Sequence, residues 1–330
     1  MTTTAWQREL SRSITSPEEL IAALGLDAAL LAGARAGAET FGLRVTPSFL
    51  GRMKRGDRHD PLLRQVLPLI GETEQFDGYV ADPLAERAYM RAPNLLQKYA
   101  GRALLIATQA CAIHCRYCFR REFPYAEQHE EQGAARWSAA LAALAADDSI
   151  EEVILSGGDP LSLSDARLAQ LTDALQAIPH LRRLRVHTRQ PVVLPSRVDE
   201  GLCGWLRGMR LPVVFVLHVN HGNELDAEVG AACARLRAAG VVLLNQSVLL
   251  RGVNDDVDTL AELSRRLFAA GVTPYYLHLP DRVRGTAHFD VPEGRARELV
   301  AGLTARLSGY LVPRLVREVP GAASKVQQPV

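Results

Sequence analysis

Glu152-Val-Ile-Leu-Ser-Gly-Gly-Asp-Pro160 is a short apolar run that ends in two glycines. From Ser164 a helical pattern follows, with Leu168, Leu171, Leu175 and Ile178 on one face. The run has no polar alternation, as expected of a strand buried on both faces. The unit recurs along the chain. Strands are expected at 103–107, 152–155, 184–187, 213–219, 241–249 and 275–279. One helix between them opens at Asp226, turns Val229, Cys233 and Leu236 inward and stops at Gly240; another carries Leu260, Leu263 and Leu267 and stops at Gly271. Six strand–helix alternations predict a parallel α/β sheet. Six falls short of the eight of a closed barrel, so an open partial barrel and a doubly wound sheet both fit. In either, the chemistry belongs at the C-terminal strand ends.

Residues 1–95 read differently. Ser16-Pro17-Glu18-Glu19 predicts a helix start, with Ser16 as cap, Pro17 in the first turn and Glu19 closing a capping box. Prolines and glycines then crowd the chain from Pro47 to Pro93. This stretch is expected to be a helical region ending in an extended connector. Residues 96–290 form the sheet, and 291–330 a C-terminal helix and tail.

A hydrophobic fraction of 48% with 23% charged residues describes an ordinary globular chain. The net charge of +1 offers no field for nucleic acid or an acidic membrane. No apolar run approaches the ~18 residues of a membrane span. The start, Met1-Thr-Thr-Thr-Ala-Trp, lacks the apolar core of a signal peptide, which points to the cytoplasm. Disulfides are not expected there. Oligomerisation is left open.

Three of the five cysteines cluster in Cys111-Ala-Ile-His-Cys115-Arg-Tyr-Cys118. Zinc and a cubane iron–sulfur cluster both ask for four ligands. Cys203 and Cys233 make no second pair, and His114 is next to Cys115, where neighbours rarely converge on one ion. A cubane held by three cysteines keeps one iron open to a small molecule. Cys203 and Cys233 read as structural. Lysine is scarce: of 38 basic residues only Lys54, Lys98 and Lys325 are lysines. Chemistry that needs a primary amine therefore has three candidates.

The CxxxCxxC spacing, with Ser156-Gly157-Gly158-Asp159 at the next strand end, resembles the radical S-adenosylmethionine superfamily. Further runs narrow the match. They are Arg120-Arg121, Thr188-Arg189-Gln190-Pro191, His218-Val-Asn220-His221-Gly-Asn223-Glu224, Asn245-Gln246-Ser247 and Pro320-Gly321-Ala-Ala-Ser-Lys325. From about Arg102 to Lys325 the chain is similar to lysine 2,3-aminomutases. The resemblance implies a radical S-adenosylmethionine partial (β/α)6 barrel of TIM type, followed by a short C-terminal segment carrying a cofactor lysine. It implies a [4Fe–4S] cluster on Cys111, Cys115 and Cys118, and S-adenosylmethionine on Ser156, Gly157, Gly158 and Asp159. Tyr117 would pack on its adenine or shield the cluster.

The resemblance also implies pyridoxal phosphate (PLP) in a Schiff base with Lys325, although the family's PGGGGK is PGAASK here. Lys98 falls near phosphate-binding positions, Arg102 aligns with a phosphate contact, and Gln246 and His218 are PLP contacts. The other residues around His218, namely Asn220, His221, Asn223 and Glu224, would line or brace that pocket. Arg120 aligns with the site of the substrate α-carboxylate. Asp281 and Glu318 align with the acids that receive a distal ammonium, Glu318 replacing an Asp. An acidic pair suits lysine and opposes glutamate.

The activity so implied is conversion of L-lysine to (R)-β-lysine, with electrons from a flavodoxin- or ferredoxin-type donor. The chain ends shortly after Lys325, and Trp6-Gln7 and Pro17-Glu18-Glu19-Leu20 resemble the short bacterial branch. That branch supplies β-lysine to a ligase that modifies elongation factor P. The rival readings are an aminomutase for another amino acid, such as glutamate, and a non-catalytic metal-binding scaffold.

Overall fold

The computed structural model describes residues 3–124 and 136–329. Its strands are β1 (Met90–Ala92), β2 (Leu95–Tyr99), β3 (Arg102–Thr108), β4 (Glu152–Gly157), β5 (Arg183–Thr188), β6 (Val213–Leu217), β7 (Val242–Val248), β8 (Thr273–His278), β9 (Arg314–Arg317) and β10 (Val326–Gln327). They form one sheet in simple chain order. β3 to β9 are parallel. β1, β2 and β10 are antiparallel additions at the two edges. A doubly wound sheet must reverse its strand order at one point. This sheet never reverses, and its edges β1 and β10 do not pair. It is an open partial barrel.

The helices start and stop where side chains satisfy their ends. Ser164 caps Asp165–Gln176 by accepting from the Arg167 amide, Asp226 caps Ala227–Ala238, and Asp256 caps Val257–Ala269. Each such cap contributes about 1 kcal/mol. Gly240 and Gly271 leave their helices at φ +86° and +75°, in the left-handed region. Leu168, Leu171, Leu175, Val229, Cys233 and Leu236 all face the core. Ser16 caps Pro17–Leu24, but Glu19 does not close a capping box. Glu18 takes the Ser16 hydroxyl instead and pairs with Arg35.

Four strands, β1, β2, β9 and β10, lie outside the ranges expected from the sequence. β1 and β2 are too short for an alternation to show, and they are joined through Asn94 at φ +65°. β9 and β10 escaped notice for the same reason. The N-terminal residues share a single apolar cluster with the sheet: Leu20, Val45, Phe49 and Leu62 pack in one core with Leu105, Leu155 and Phe215. Leu260, Leu277, Leu299 and Leu315 form a second cluster beneath the last strands. Among the described residues no helix is long and apolar enough to cross a membrane.

Candidate active site

Successive strand residues face opposite sides. His187 of β5, Gln246 of β7, Tyr276 and His278 of β8 and Arg314 and Val316 of β9 all face inward. In a closed eight-stranded barrel bulky apolar side chains fill the interior. Here many are polar, and they surround a cavity of about 800 Å³. Every residue assigned a cofactor or substrate role above lies on its wall: Arg102, Cys111, Cys115, Tyr117, Cys118, Arg120, Ser156, Gly157, Gly158, Asp159, His218, Gln246, Asp281, Glu318 and Lys325.

The cysteine loop follows β3 and is gripped from two sides. The Gly158 amide donates to the Thr108 carbonyl at 2.7 Å and the Asp159 amide to that of Ala110 at 2.8 Å. A Cβ at Gly158 would sit 2.4 Å from the Ala110 oxygen, and one at Gly157 2.5 Å from that of Thr108. The glycines are thus required by the backbone of the cysteine loop itself. The Asp159 carboxylate accepts from the amides of Leu161, Arg189 and Gln190 and from the Thr188 hydroxyl.

On the other side the N-terminal residues hold the loop. Buried Arg116 binds Glu72 and the carbonyls of Gly37, Phe41 and Gly42. Its amide donates to the Gln65 carbonyl at 2.9 Å. Arg121 also reaches Glu72, at 2.8 Å.

Desolvation pushes the Cys111 thiol well up, and the Cys118 thiol to about 11 with Cys115 adding to it. Among the described residues no three His, Cys, Asp or Glu side chains converge on a single ion, as a structural zinc requires. In a cubane each thiolate takes its own iron, so three cysteines that line one cavity without converging on a single point fit that group. Arg189 places Nη1 2.8 Å from Cys115 Sγ, while its Nη2 donates to Gln65 at 2.6 Å and Glu224 at 2.9 Å. Tyr117 lies edge-on to Phe289 and 5.6 Å from the Arg189 guanidinium.

Beyond the cysteines, ion pairs of alternating charge run along the wall. Arg120 donates to both oxygens of Glu86, each at 2.8 Å, and to Ser156 Oγ at 3.0 Å. Lys98 lies 3.2 Å from Glu86 and 2.8 Å from Glu318, whose other oxygen accepts from Lys325 at 2.8 Å. Burial raises the Glu86 carboxyl, but Arg120 and Lys98 outweigh it and hold it below the ordinary value. Burial acts on Glu318 in the same way, and Lys325 and Lys98 hold it far lower. Among the described residues Asp281 has no such partner; desolvation, reinforced by the Glu318 charge, pushes it up to about 7.

His218 shares a 2.8 Å hydrogen bond with Gln246. Desolvation, with Arg189 and Lys325 adding to it, lowers His218 to about 3, and desolvation puts His187 and His278 well below the usual imidazole value. All three are neutral at pH 7. Asn220 and Glu224 do not line the cavity: they tie β6 to Gln65, β7 and Arg189. His221 and Asn223 form the turn outside it. Glu86, His187 and His278 carry no signal in the sequence: Glu86 sits in a proline- and glycine-rich stretch with no periodicity, and the two histidines resemble ordinary strand residues. Arg189, directly after β5, stands out there only within the Thr188-Arg189-Gln190-Pro191 run.

Lys325 lies between β9 and β10, beside the face of Tyr276. In Pro320–Lys325 only Gly321 has a positive φ, +83°, so Ala322, Ala323 and Ser324 occupy ordinary backbone. The amine of Lys325, the guanidiniums of Arg102, Arg185 and Arg314 and the His218–Gln246 pair are groups suited to an aldehyde carrying a phosphate.

A family model described as a 4Fe-4S single cluster domain matches residues 100–183. An L-lysine 2,3-aminomutase of Escherichia coli (strain K12) is 49% identical over 323 residues, covering 97% of this chain and 93% of that one. An L-lysine 2,3-aminomutase of Haemophilus influenzae is 45% identical over 320 residues, covering 97% and 94%. Among solved structures, a radical SAM methyltransferase from Sphaerobacter thermophilus aligns with a TM-score of 0.46 and 19% identity, over 68% of each chain.

Proposed function

Because the chain belongs to the L-lysine 2,3-aminomutase family, we propose that it moves the α-amino group of L-lysine to the β-carbon, giving β-lysine. The observation that carries this reading is the charge pattern of one cavity: a buried guanidinium, Arg120, an acid with no ion-pair partner among the described residues, Asp281, and an amine, Lys325. A second carboxylate, as in glutamate, would meet Asp281 and Glu318 and be repelled.

When bound, a [4Fe–4S] cluster with S-adenosylmethionine supplies the radical, and PLP the conjugation that nitrogen migration needs. Cys111, Cys115 and Cys118 hold the cluster, and Ser156 to Asp159 hold the methionine end of S-adenosylmethionine beside it. Lys325 anchors PLP, with Arg102, His218 and Gln246 around it. Arg120 orients the substrate carboxylate, and Asp281 with Glu318 receives the distal ammonium. The neutral histidines add no further positive charge beside Lys325. The same reading has a flavodoxin- or ferredoxin-type electron donor, a cytoplasmic setting and a ligase that passes β-lysine to elongation factor P.

The test is an anaerobic product assay with S-adenosylmethionine, PLP and a reductant. β-Lysine from lysine is the expected product. β-Glutamate from glutamate, without β-lysine, overturns the substrate. Zinc without acid-labile sulfide in the anaerobically isolated protein would favour the non-catalytic scaffold.

A further inference from the structure

Two of the chain's three lysines meet on one carboxylate. Lys98 Nζ and Lys325 Nζ each lie 2.8 Å from a different oxygen of Glu318. The side chains of Lys98, Glu318 and Lys325 are only 13%, 15% and 21% exposed. Glu86 holds Lys98 from behind, and Arg120 holds Glu86. We propose that Lys98 is a positioning residue for cofactor attachment: it keeps Glu318 neutralised so that Lys325 can leave it as a free amine. The proposal rests on the reading of Lys325 as the cofactor lysine.

Bond formation at Lys325 needs its lone pair. The ammonium must first release a proton to solvent; the nitrogen then attacks an aldehyde carbon, a C=N bond forms and the carbonyl oxygen leaves as water. A buried glutamate with a single ammonium partner opposes this, because departure of that charge strands an unpaired carboxylate. Glu318 has a second cation, itself fixed by Glu86, so Lys325 can withdraw without stranding it.

The other groups around Lys325 do not substitute for Lys98: Arg102, Arg185 and Arg314 share the cavity wall, but among the described residues Glu318 pairs with Lys98 and Lys325. His187 from β5, His218 beyond β6 and His278 from β8 are neutral by burial. Tyr276 presents its ring face, with the ammonium 5.9 Å from the centroid. Asp281 is a further acid of this cavity, and its charge would hold the ammonium more strongly as pH rises.

The experiment measures the pH midpoint of C=N bond formation by visible absorbance, with pyridoxal phosphate and with pyridoxal. Borohydride trapping and peptide mapping locate the bond. The Lys98→Met variant should need a higher pH, by about one to two units, with both aldehydes, because Glu318 then has one cation fewer and holds the Lys325 ammonium more tightly. Lys98→Arg should stay near the parent. In a Glu318→Gln background the Lys98→Met change should no longer move the midpoint, since Lys98 acts through that carboxylate.

An unchanged midpoint in Lys98→Met overturns the proposal. So does a loss of affinity confined to the phosphorylated aldehyde, which would make Lys98 a phosphate contact. An equal shift in both backgrounds also overturns it. Label on a residue other than Lys325 in the parent protein overturns the cofactor-lysine reading instead.

Discussion

Asp281 was legible as a candidate acid in the sequence, but not its charge state. Its carboxyl is pushed up to about 7 by desolvation and by Glu318. Below that value it is protonated and loses its attraction for an ammonium. The KM for lysine is therefore expected to rise about tenfold per pH unit below it, and Asp281→Asn should raise KM and abolish that limb of the profile. The sign for stability is opposite to that of an ordinary paired carboxylate. The folded state binds the proton more tightly than the unfolded chain, so this group's contribution weakens as pH rises through about 7. In ligand-free protein Asp281→Asn should raise the melting temperature at pH 8 and leave it nearly unchanged at pH 4. Arg120 makes a second case. Its fork spans Glu86 and Ser156, which a lysine cannot reproduce. Arg120→Lys should lower kcat/KM by ~10²-fold, chiefly through KM.

At the scale of an element, the turn after β4 and the tail hairpin look alike in sequence and differ in space. Gly158 has the cysteine loop backbone against it, whereas nothing lies within 4 Å of a Cβ at Gly321. Gly158→Ala should push the cysteine loop outward, cost about 1–3 kcal/mol in denaturant unfolding and reduce iron and sulfide per chain after anaerobic reconstitution. Gly321→Ala meets only the penalty of its positive φ, about 1–2 kcal/mol, and should load iron normally. The sequence suggested that the Gly157-Gly158 backbone approaches a ligand. That it approaches another loop became visible only once β3 and β4 were paired.

At the scale of the molecule, residues 1–95 offered no chemistry as a sequence, yet they clamp the site. Glu72 binds Arg116 and Arg121, Gln65 binds Arg189, and Glu86 binds Arg120 and Lys98. Glu72→Ala leaves the Arg116 guanidinium buried without a carboxylate and should destabilise the protein by about 3–5 kcal/mol in urea or thermal unfolding. It should also impair iron loading, because Arg116 lies between Cys115 and Cys118.

The sequence alone determined the α/β rhythm, the caps at Ser16, Ser164 and Asp226 and the residues of the cysteine loop. Those signals are local, set by periodicity over a turn or two and by spacing within a loop. Periodicity left a partial barrel and a doubly wound sheet both possible, since strand order is a long-range property; the resemblance implied the partial barrel and the strand order shows it. Tertiary structure alone decided which carboxylate meets which cation. Glu86 and Arg120, or Lys98 and Glu318, stand far apart in the chain, and only the folded sheet brings their charges into one water-poor space where pairing becomes obligatory.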